Sequence, residues 1–325
     1  MSLLSFLSFR GRRRAHKLYD EGRALIASRE YERALAVGRK LRKVQYSGAY
    51  EIEGLAYQGL GRLDDAVRVL REGVAQAPGV WLIWSLLGNC LSDLGRFDEA
   101  LEAYDRAEGC AHVEHALVHL NRAVVATRQE KPLLVLEHLE RVEGYRFECA
   151  ALRATALHAL GRNHEAEHLA MRTLEAWLTT DQSRATADAG ELALVLGEIR
   201  HERGEDPAAL RSAMIQWWRD TKHERLLWLI RELRPGSSPD ARYFRVRILA
   251  SFPRFTYPEL DVVGFWMSGD AVADTVEEAL SSILELQPAP AEAKIELEEV
   301  LDMEPRPHGS KGVYALTGRI FYTEE

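Results

Sequence analysis

The stretch Leu60-Gly61-Arg62-Leu63-Asp64-Asp65-Ala66 decides the fold, because close variants of it recur at Leu94–Ala100 and at Leu160–Ala166. The first two copies lie 34 residues apart, and the third lies 66 residues beyond the second, close to two further periods. A fixed period of this length is the signature of an architecture built from stacked units. We therefore predict a series of similar supersecondary units rather than one compact core.

Each copy has the residues of a turn between two helices. Gly61 and its counterparts suit the left-handed position that ends a helix. The acidic residues that follow, such as Asp64, suit the first turn of the next helix. Ala66 and its counterparts are small, which lets two antiparallel helices approach closely. The pattern thus predicts helix–turn–helix pairs.

These units resemble the tetratricopeptide repeat. The best match starts at Trp81 and carries Trp84, Leu87, Gly88, Leu91, Ala100, Tyr104 and Ala107 at the signature offsets. The unit before it starts at Ser47 and carries Tyr50, Gly54, Tyr57, Ala66, Leu70, Gly73 and Pro78. Weaker units start near Ala15, Ala116 and Phe147, and a degenerate one uses Gly197–Ala213. The resemblance implies a mostly α fold, a right-handed α-solenoid of about five to six helix pairs, spanning residues 15–234 with a capping helix at its end.

The breaker-rich segment Pro235–Pro239 is the clearest boundary, and we predict it to be a linker. Beyond it the apolar period changes from 3.6 to 2. The predicted strands are Phe244–Ile248, Val262–Met267, Lys294–Leu301 and Val313–Thr323. Asp270 is positioned to cap a helix that ends near Glu285. We predict a small α+β domain over residues 240–325, in the order ββαββ, with an antiparallel sheet.

The net charge of the chain is concentrated in this last segment. Residues 240–325 contain 8 Lys and Arg against 16 Asp and Glu, a net −8, whereas residues 1–239 contain 34 of each. An acidic module repels phosphates, so we expect no nucleic-acid partner. A basic protein surface is the partner that such a charge favours.

The first 14 residues form a leader in which apolar residues precede Arg10–Arg14. This order is the reverse of a secretory signal. The leader is either a flexible or packed extension or a weak anchor to a membrane or partner, and we expect membrane contact only there. Three cysteines are an odd and sparse set, typical of a reducing compartment, so we expect a cytoplasmic protein.

No familiar catalytic or cofactor motif occurs in the sequence. A cluster of candidate metal ligands consists of Cys110, His112, His115 and His119. His119 falls at a packing position of the repeat, so we expect packing there rather than a metal. Cys90 is expected in the core, and Gly309–Gly312 is expected to be a turn rather than an anion loop. The sequence therefore predicts no enzyme, no metal and no cofactor.

The concave face, lined by the first helix of each pair, is the candidate binding site. Its side chains, by repeat offsets, are Tyr19, Arg23, Glu51, Gln58, Ser85, Asn89, Ser92, Asn121, Thr127, Thr155 and His158. Asn89 and Asn121 resemble asparagines of the chaperone-binding subfamily, which grips a peptide carboxylate with asparagines and basic residues. Here the positions of the basic residues hold Ser85, Glu148 and Leu152, so we reject that ligand. The asparagines then either hydrogen-bond the backbone of another ligand or only order the groove.

Three functional hypotheses follow. The first is a non-catalytic scaffold or adaptor that binds a protein segment in the groove, with the acidic domain as a second interaction module. The alternative is an inhibitor or immunity-type protein whose acidic module neutralises a basic toxin or nuclease. The third is an enzyme or ligand sensor in the C-terminal domain, which a pocket with convergent polar groups would favour.

Overall fold

The computed structural model describes residues 9–180, 186–234, 236, 238–257, 260–290, 292–306 and 309–322. The first thirteen described helices are α1 Phe9–Ala27, α2 Tyr31–Lys43, α3 Gly48–Gly59, α4 Leu63–Gln76, α5 Trp81–Asp93, α6 Phe97–Glu108, α7 His115–Arg128, α8 Pro132–Leu139, α9 Arg146–Ala159, α10 Asn163–Leu178, α11 Thr186–Glu202, α12 Pro207–Thr221 and α13 Glu224–Glu232. The remaining elements are β1 Arg242–Tyr257, β2 Leu260–Ala273, α14 Val276–Leu286, β3 Lys294–Pro305, β4 Gly312–Leu316 and β5 Ile320–Tyr322. The mostly α class and the helix pairs are confirmed.

The chain divides into two compact units, Met1–Tyr145 and Arg146–Glu325, and each is described by itself. Unit 1 contains α1–α8, and unit 2 contains α9–α14 and the sheet. The last residues of the expected leader belong to α1, and residues 1–8 lie outside the described part. Pro235 and Ser237 of the expected linker also lie outside it, so a domain boundary there stays a prediction.

None of the helices that the structure describes combines the length and the apolar character needed to cross a bilayer.

The repeated stretch forms the turn between paired helices. Gly61 and Gly95 have φ values of +71° and +74°, which residues with a side chain rarely adopt. The N–H of Arg62 donates to the carbonyl of Tyr57 at 2.9 Å and closes the last turn of α3. Ala66, just inside α4, is fully buried against the neighbouring helices. The predicted turn chemistry is therefore confirmed.

Glycine permits the close approach of α5 and α6 in the best repeat. A Cβ atom on Gly88 would lie 2.4 Å from Cε1 of Tyr104, far inside van der Waals contact. The Tyr104 ring is 1% exposed and fills this space. Interiors packed to crystal-like density leave no room for an added methyl group without rearrangement.

The sheet of unit 2 is antiparallel, in the order β3-β1-β2-β4, with β5 also paired to β2. One face is covered by α14, which packs against β1, β2 and β4. Val246, Ile248, Phe265 and Ile283 are fully buried between the helix and the sheet. The predicted antiparallel sheet with one helix between its second and third strands is confirmed, whereas a separate domain over residues 240–325 stays a prediction.

The last predicted strand, Val313–Thr323, is interrupted, and Thr323 itself lies outside the described residues. It forms β4 and β5, separated by three residues that start at Thr317. The Thr317 hydroxyl accepts a hydrogen bond from the Ser268 N–H at 2.8 Å, and the Thr317 N–H donates to the Ser268 carbonyl at 2.9 Å. Between the pairings of β4 and β5 with β2, the Thr317 hydroxyl thus replaces a backbone carbonyl as the acceptor for the Ser268 N–H.

The prediction that Asp270 caps a helix is wrong. Asp270 lies inside β2, where its carboxylate accepts hydrogen bonds from Arg245 at 2.8 and 2.9 Å. Pairing with β1 extends β2 to Ala273. Thr275 caps α14 instead, because its hydroxyl accepts from the N–H of Glu278 at 3.2 Å.

Candidate partner-binding face

Polar side chains join each first helix of unit 1 to the next first helix. The Tyr19 hydroxyl donates to Glu51 Oε2, and Arg23 Nη1 donates to Glu51 Oε1, both at 2.6 Å. Glu51 is 5% exposed, so these two donors supply the hydrogen bonds that a buried carboxylate requires. Burial and the bond to Glu51 raise the pKa of Tyr19, which keeps this phenol protonated. Three predicted site residues therefore form one hydrogen-bonded network around a buried carboxylate.

The same ladder continues from α3 through α5 to α7. Gln58 Nε2 donates to Asp93 at 2.8 Å. Arg128 donates to Asp93 and to Ser92 Oγ, each at 2.8 Å. The sequence offsets missed Asp93 and Arg128, although each ends its helix and they stand one repeat apart. We call this set the first-helix face: Tyr19, Arg23, Glu51, Gln58, Ser85, Asn89, Ser92, Asp93, Asn121 and Arg128.

Asn89 and Asn121 each use half of their amide inside the protein. Asn89 Oδ1 accepts from the Tyr104 hydroxyl at 2.7 Å, and Asn121 Nδ2 donates to Ser85 Oγ at 3.0 Å. Within the described residues no hydrogen bond is made by Asn89 Nδ2 or to Asn121 Oδ1. The two asparagines thus retain one donor group and one acceptor. These are the partners of a peptide carbonyl and a peptide N–H.

The first-helix face has balanced charges. Arg23 pairs with Glu51 and Arg128 pairs with Asp93, so each described arginine of the face has an acidic partner. Ser85, at the position where the related subfamily carries a lysine, is buried. Thr127 turns its hydroxyl onto the Ala123 carbonyl of its own helix at 2.9 Å. A carboxylate ligand would meet no unpaired cation among these residues.

Thr155 and His158 belong to unit 2, where they approach acidic residues of α11. Thr155 Oγ1 lies 3.5 Å from Glu191, which also pairs with Arg225 at 2.7 Å. His158 Nε2 lies 3.8 Å from Glu198, and its Nδ1 lies 2.9 Å from Asn163 Oδ1. Acidic residues of α11 therefore lie beside the predicted site residues of α9, a property that the repeat offsets did not reveal.

Two acidic residues of α11, Asp188 and Glu198, have raised pKa values. Burial, aided by the charge of Glu148, raises the pKa of Asp188 to about 6. Burial likewise raises the pKa of Glu198 above its ordinary value. Only the tertiary structure brings Glu148 of α9 close to Asp188 of α11.

In the histidine cluster, His119 is packed in the core, and both His115 and His119 lie near the carboxylate of Glu108. His119 is buried, its Nε2 lies 3.6 Å from Glu108, and burial lowers its pKa. His115 is exposed and lies 3.8 Å from the same carboxylate. Within the part of the chain that the structure covers, no three His, Cys, Asp or Glu residues are grouped to hold a metal ion. Cys90 is fully buried, which raises its pKa to about 12 and keeps it a thiol.

Unit 2 contains a cavity of about 330 Å³ beside α12, α13 and β4. Trp218, Leu227 and Leu316 form apolar walls, and the Lys222 ammonium lies 4.2 Å from the centre of the Trp218 ring. The hydroxyls of Tyr314 and Thr317 in the lining donate to backbone carbonyls, those of Ser310 and Ser268, rather than to Glu224. In the segment Gly309–Gly312, Lys311 pairs with Asp274 at 2.5 Å.

Residues 53–112 match the family model of the tetratricopeptide repeat. Residues 53–112 of this chain are therefore tetratricopeptide repeats. The repeat signature, the match and the helix pairs agree on this point. Tetratricopeptide repeats generally mediate protein–protein interactions and act as non-catalytic scaffolds.

The tetratricopeptide repeat array is also similar to solved structures. Cut9–Hcn1, an APC/C hetero-tetramer, has a TM-score of 0.56 at 16% identity, covering 65% of this chain and 41% of that one. PilW, a type IV pilus biogenesis factor, has a TM-score of 0.56 at 16% identity, covering 66% and 97%. PilF of Pseudomonas aeruginosa has a TM-score of 0.51 at 17% identity, covering 68% and 97%. These likenesses concern the fold alone, and the match spans about two fifths of the Cut9–Hcn1 chain.

No curated protein matches the chain in sequence.

Proposed function

We propose that this tetratricopeptide repeat protein is a non-catalytic scaffold or adaptor that holds a protein segment on the first-helix face of unit 1. The proposal is carried by the side-chain amides of Asn89 and Asn121, each of which makes one hydrogen bond within the protein and leaves its other polar group for a ligand. An extended segment presents both carbonyl and N–H groups along its edges. The two amides supply one partner for each kind of group.

The charge pattern of the face supports a ligand recognised through its backbone. Since Arg23 and Arg128 are already paired with acids, a charged chain end gains little there. The arginines still offer their aliphatic stems as apolar surface at the margins of the face. Glu51 and Tyr19 hold one end of the face rigid, which lowers the entropic cost of binding.

The experiment compares the chain that co-purifies with the native protein across a set of variants. Asn89→Ala and Asn121→Ala should each weaken binding about fivefold, because one hydrogen bond contributes about 1 kcal/mol. Asn163→Ala is the matched control, since Asn163 is an asparagine of unit 2 outside this face. Thermal unfolding of each variant separates lost binding from lost structure.

A combined variant gives the sharpest outcome. Glutamate at Arg23, Asn89 and Asn121 together places three new carboxylates on the face and should abolish binding there. If every partner remains bound to this folded variant, the assignment of the face is overturned.

An inhibitor or immunity-type function is the second candidate, and the net −8 of residues 240–325 favours it. Here the acidic module would cover a basic site of a toxin or nuclease. Binding would then weaken steeply with salt and would survive the first-helix variants. A complex that is insensitive to salt would exclude it.

We further propose a cytoplasmic location. All three cysteines are unpaired, which fits a reducing compartment. Labelling of intact cells with a thiol reagent that cannot cross membranes would test this. The partly exposed thiol of Cys110 should react only after the membrane is breached.

A further inference from the structure

The strand β3 forms one edge of the sheet in unit 2. Its inner edge pairs with β1, and within the described residues its outer edge has no ladder partner. The strand is 12 residues long, and the backbone N–H and C=O groups of alternate residues point away from β1 along this outer edge. Such an edge is a template for pairing with another extended chain.

Two bulges set the direction of the β3 side chains. Glu298 and Met303 are extra residues, because Glu299 faces Arg247 while Leu297 already faces Ile248. As a result Val300 returns to the side of the sheet that carries α14, opposite the buried Val246.

An apolar strip on this side of β3 remains open. Ile295, Leu297 and Val300 lie on the α14 side, opposite residues of β1 that are fully buried. Leu297 is 42% exposed and Val300 is 36% exposed. The helix α14 packs on β1, β2 and β4, so the cover that it gives the apolar face is incomplete at the β3 margin.

The opposite side of β3 carries Glu296 and Glu299, and Arg247 of β1 stands beside Glu299 on that side. Arg247 pairs with Glu299 at 3.1 Å and lies 4.0 Å from Glu298. Arg242 pairs with Asp302 at 2.7 Å on the α14 side, because Asp302 stands opposite the buried Phe244. On its inner edge, β3 thus recognises a strand whose residues on the α14 side are mostly apolar and whose other side carries an arginine. Side chains of β3 are equally accessible to a strand on the outer edge.

We propose that the outer edge of β3 binds an extended segment of a partner protein by strand addition, with apolar side chains of that segment on the α14 side and Lys or Arg on the other. This inference rests on the expectation, from the net −8 of residues 240–325, that this acidic segment is a second interaction module. It is independent of the first-helix face in unit 1.

A second copy of this chain fits the edge poorly. Pairing of two β3 strands would bring Glu296, Glu298 and Glu299 against the same acidic strand of the other copy. Like charges directly opposite each other destabilise a strand pair. Charge complementarity therefore selects a basic segment.

The test uses a labelled peptide with the sequence Arg-Tyr-Phe-Arg-Val-Arg-Ile-Leu-Ala, which is that of residues 242–250. The full-length protein is titrated with this peptide and with two controls. One control replaces the three arginines by glutamate, and the other carries N-methyl groups on alternate backbone amides of one edge. We expect the parent peptide to bind about tenfold or more tightly than either control, because one lacks the charges and the other lacks the donors. Equal binding of the N-methylated peptide would overturn strand addition.

Protein variants locate the site. Val300→Lys and Leu297→Lys should each weaken the parent peptide about tenfold, since each removes apolar contact and adds a cation. Trp228→Lys is the matched control, because Trp228 is an exposed apolar residue of α13 in the same unit. Unchanged binding by both β3 variants would overturn the site. Self-association of the free protein that Val300→Lys abolishes would show that a second copy occupies the edge, against the proposal.

Asn89→Ala and Asn121→Ala serve as the cross-check. If these two variants lose the native partner but still bind the peptide, the β3 edge and the first-helix face are two independent binding sites. If the peptide fails to bind and the native partner is still lost, only the edge proposal fails.

Discussion

The hydroxyl of Tyr104 donates to the side-chain carbonyl of Asn89 at 2.7 Å, so the second helix of a repeat fixes the amide of its first helix. The Tyr104 ring meanwhile fills the space beside Gly88. Burial raises the pKa of Tyr104, which keeps the phenol a donor. Packing inside the repeat therefore determines which half of Asn89 is presented on the first-helix face.

Tyr104→Phe should separate these two roles. The ring keeps its packing, but the Asn89 carbonyl loses its donor, which we expect to lower the free energy of unfolding by about 1 kcal/mol. Asn89 should then rotate more freely, and partner binding should weaken by a factor similar to the one expected for Asn89→Ala. Urea unfolding and a binding titration measure the two effects. Binding at the full wild-type affinity would show that the orientation of Asn89 is irrelevant.

Gly88→Ala should be strongly destabilising. The added Cβ would lie 2.4 Å from the Tyr104 ring, and relief requires movement of α5 against α6. Overpacking of this kind costs about 1–3 kcal/mol. Gly79→Ala is the control, because nothing lies within 4 Å of a Cβ there. A melting temperature for Gly88→Ala equal to that of the control would contradict the close packing.

Asp188 should make unit 2 less stable as pH rises. Burial raises its pKa from 3.8 to about 6, so the ionised form is disfavoured in the folded state. Stability should fall as pH rises from about 4 through about 6 and stay lower above that range. After allowance for solvent screening at this partly exposed group, Asp188→Asn should stabilise unit 2 by about 1 kcal/mol at neutral pH. Urea denaturation monitored across pH checks this; an unchanged pH profile in the variant would contradict it.

Arg211 of α12 and Glu285 of α14 should stabilise the contact between the helices and the sheet module inside unit 2. Arg211 Nη2 donates to Glu285 Oε2 at 2.7 Å, and this bond lowers the pKa of Glu285. The stabilisation should be present above the ordinary glutamate value of 4.5 and be lost as pH falls through the lowered pKa.

A double-mutant cycle with Arg211→Met and Glu285→Gln should measure about 1 kcal/mol of coupling at neutral pH, a modest value because Glu285 is 37% exposed. The coupling should vanish in acid. Strictly additive effects at neutral pH would show that the pair contributes nothing.

The sequence by itself determined the features that depend on neighbours along the chain. The turn at Gly61, the helix pairs and the change of period after Pro239 all follow from local conformational preference and from apolar spacing. The same locality explains the wrong cap, because Asp270 has the right residue type for a helix start but bonds Arg245 of another strand.

Only the tertiary structure decided what the polar groups do. Asn89 and Asn121 were found by their offsets, but Asp93 and Arg128 were not, since their roles arise from contacts made one repeat away. The burial of Asp188 and the bulge at Glu298 likewise depend on helices and strands that are distant in sequence. Hydrogen bonds and desolvation act through space, so a one-dimensional pattern names the candidates and the packed fold assigns their partners.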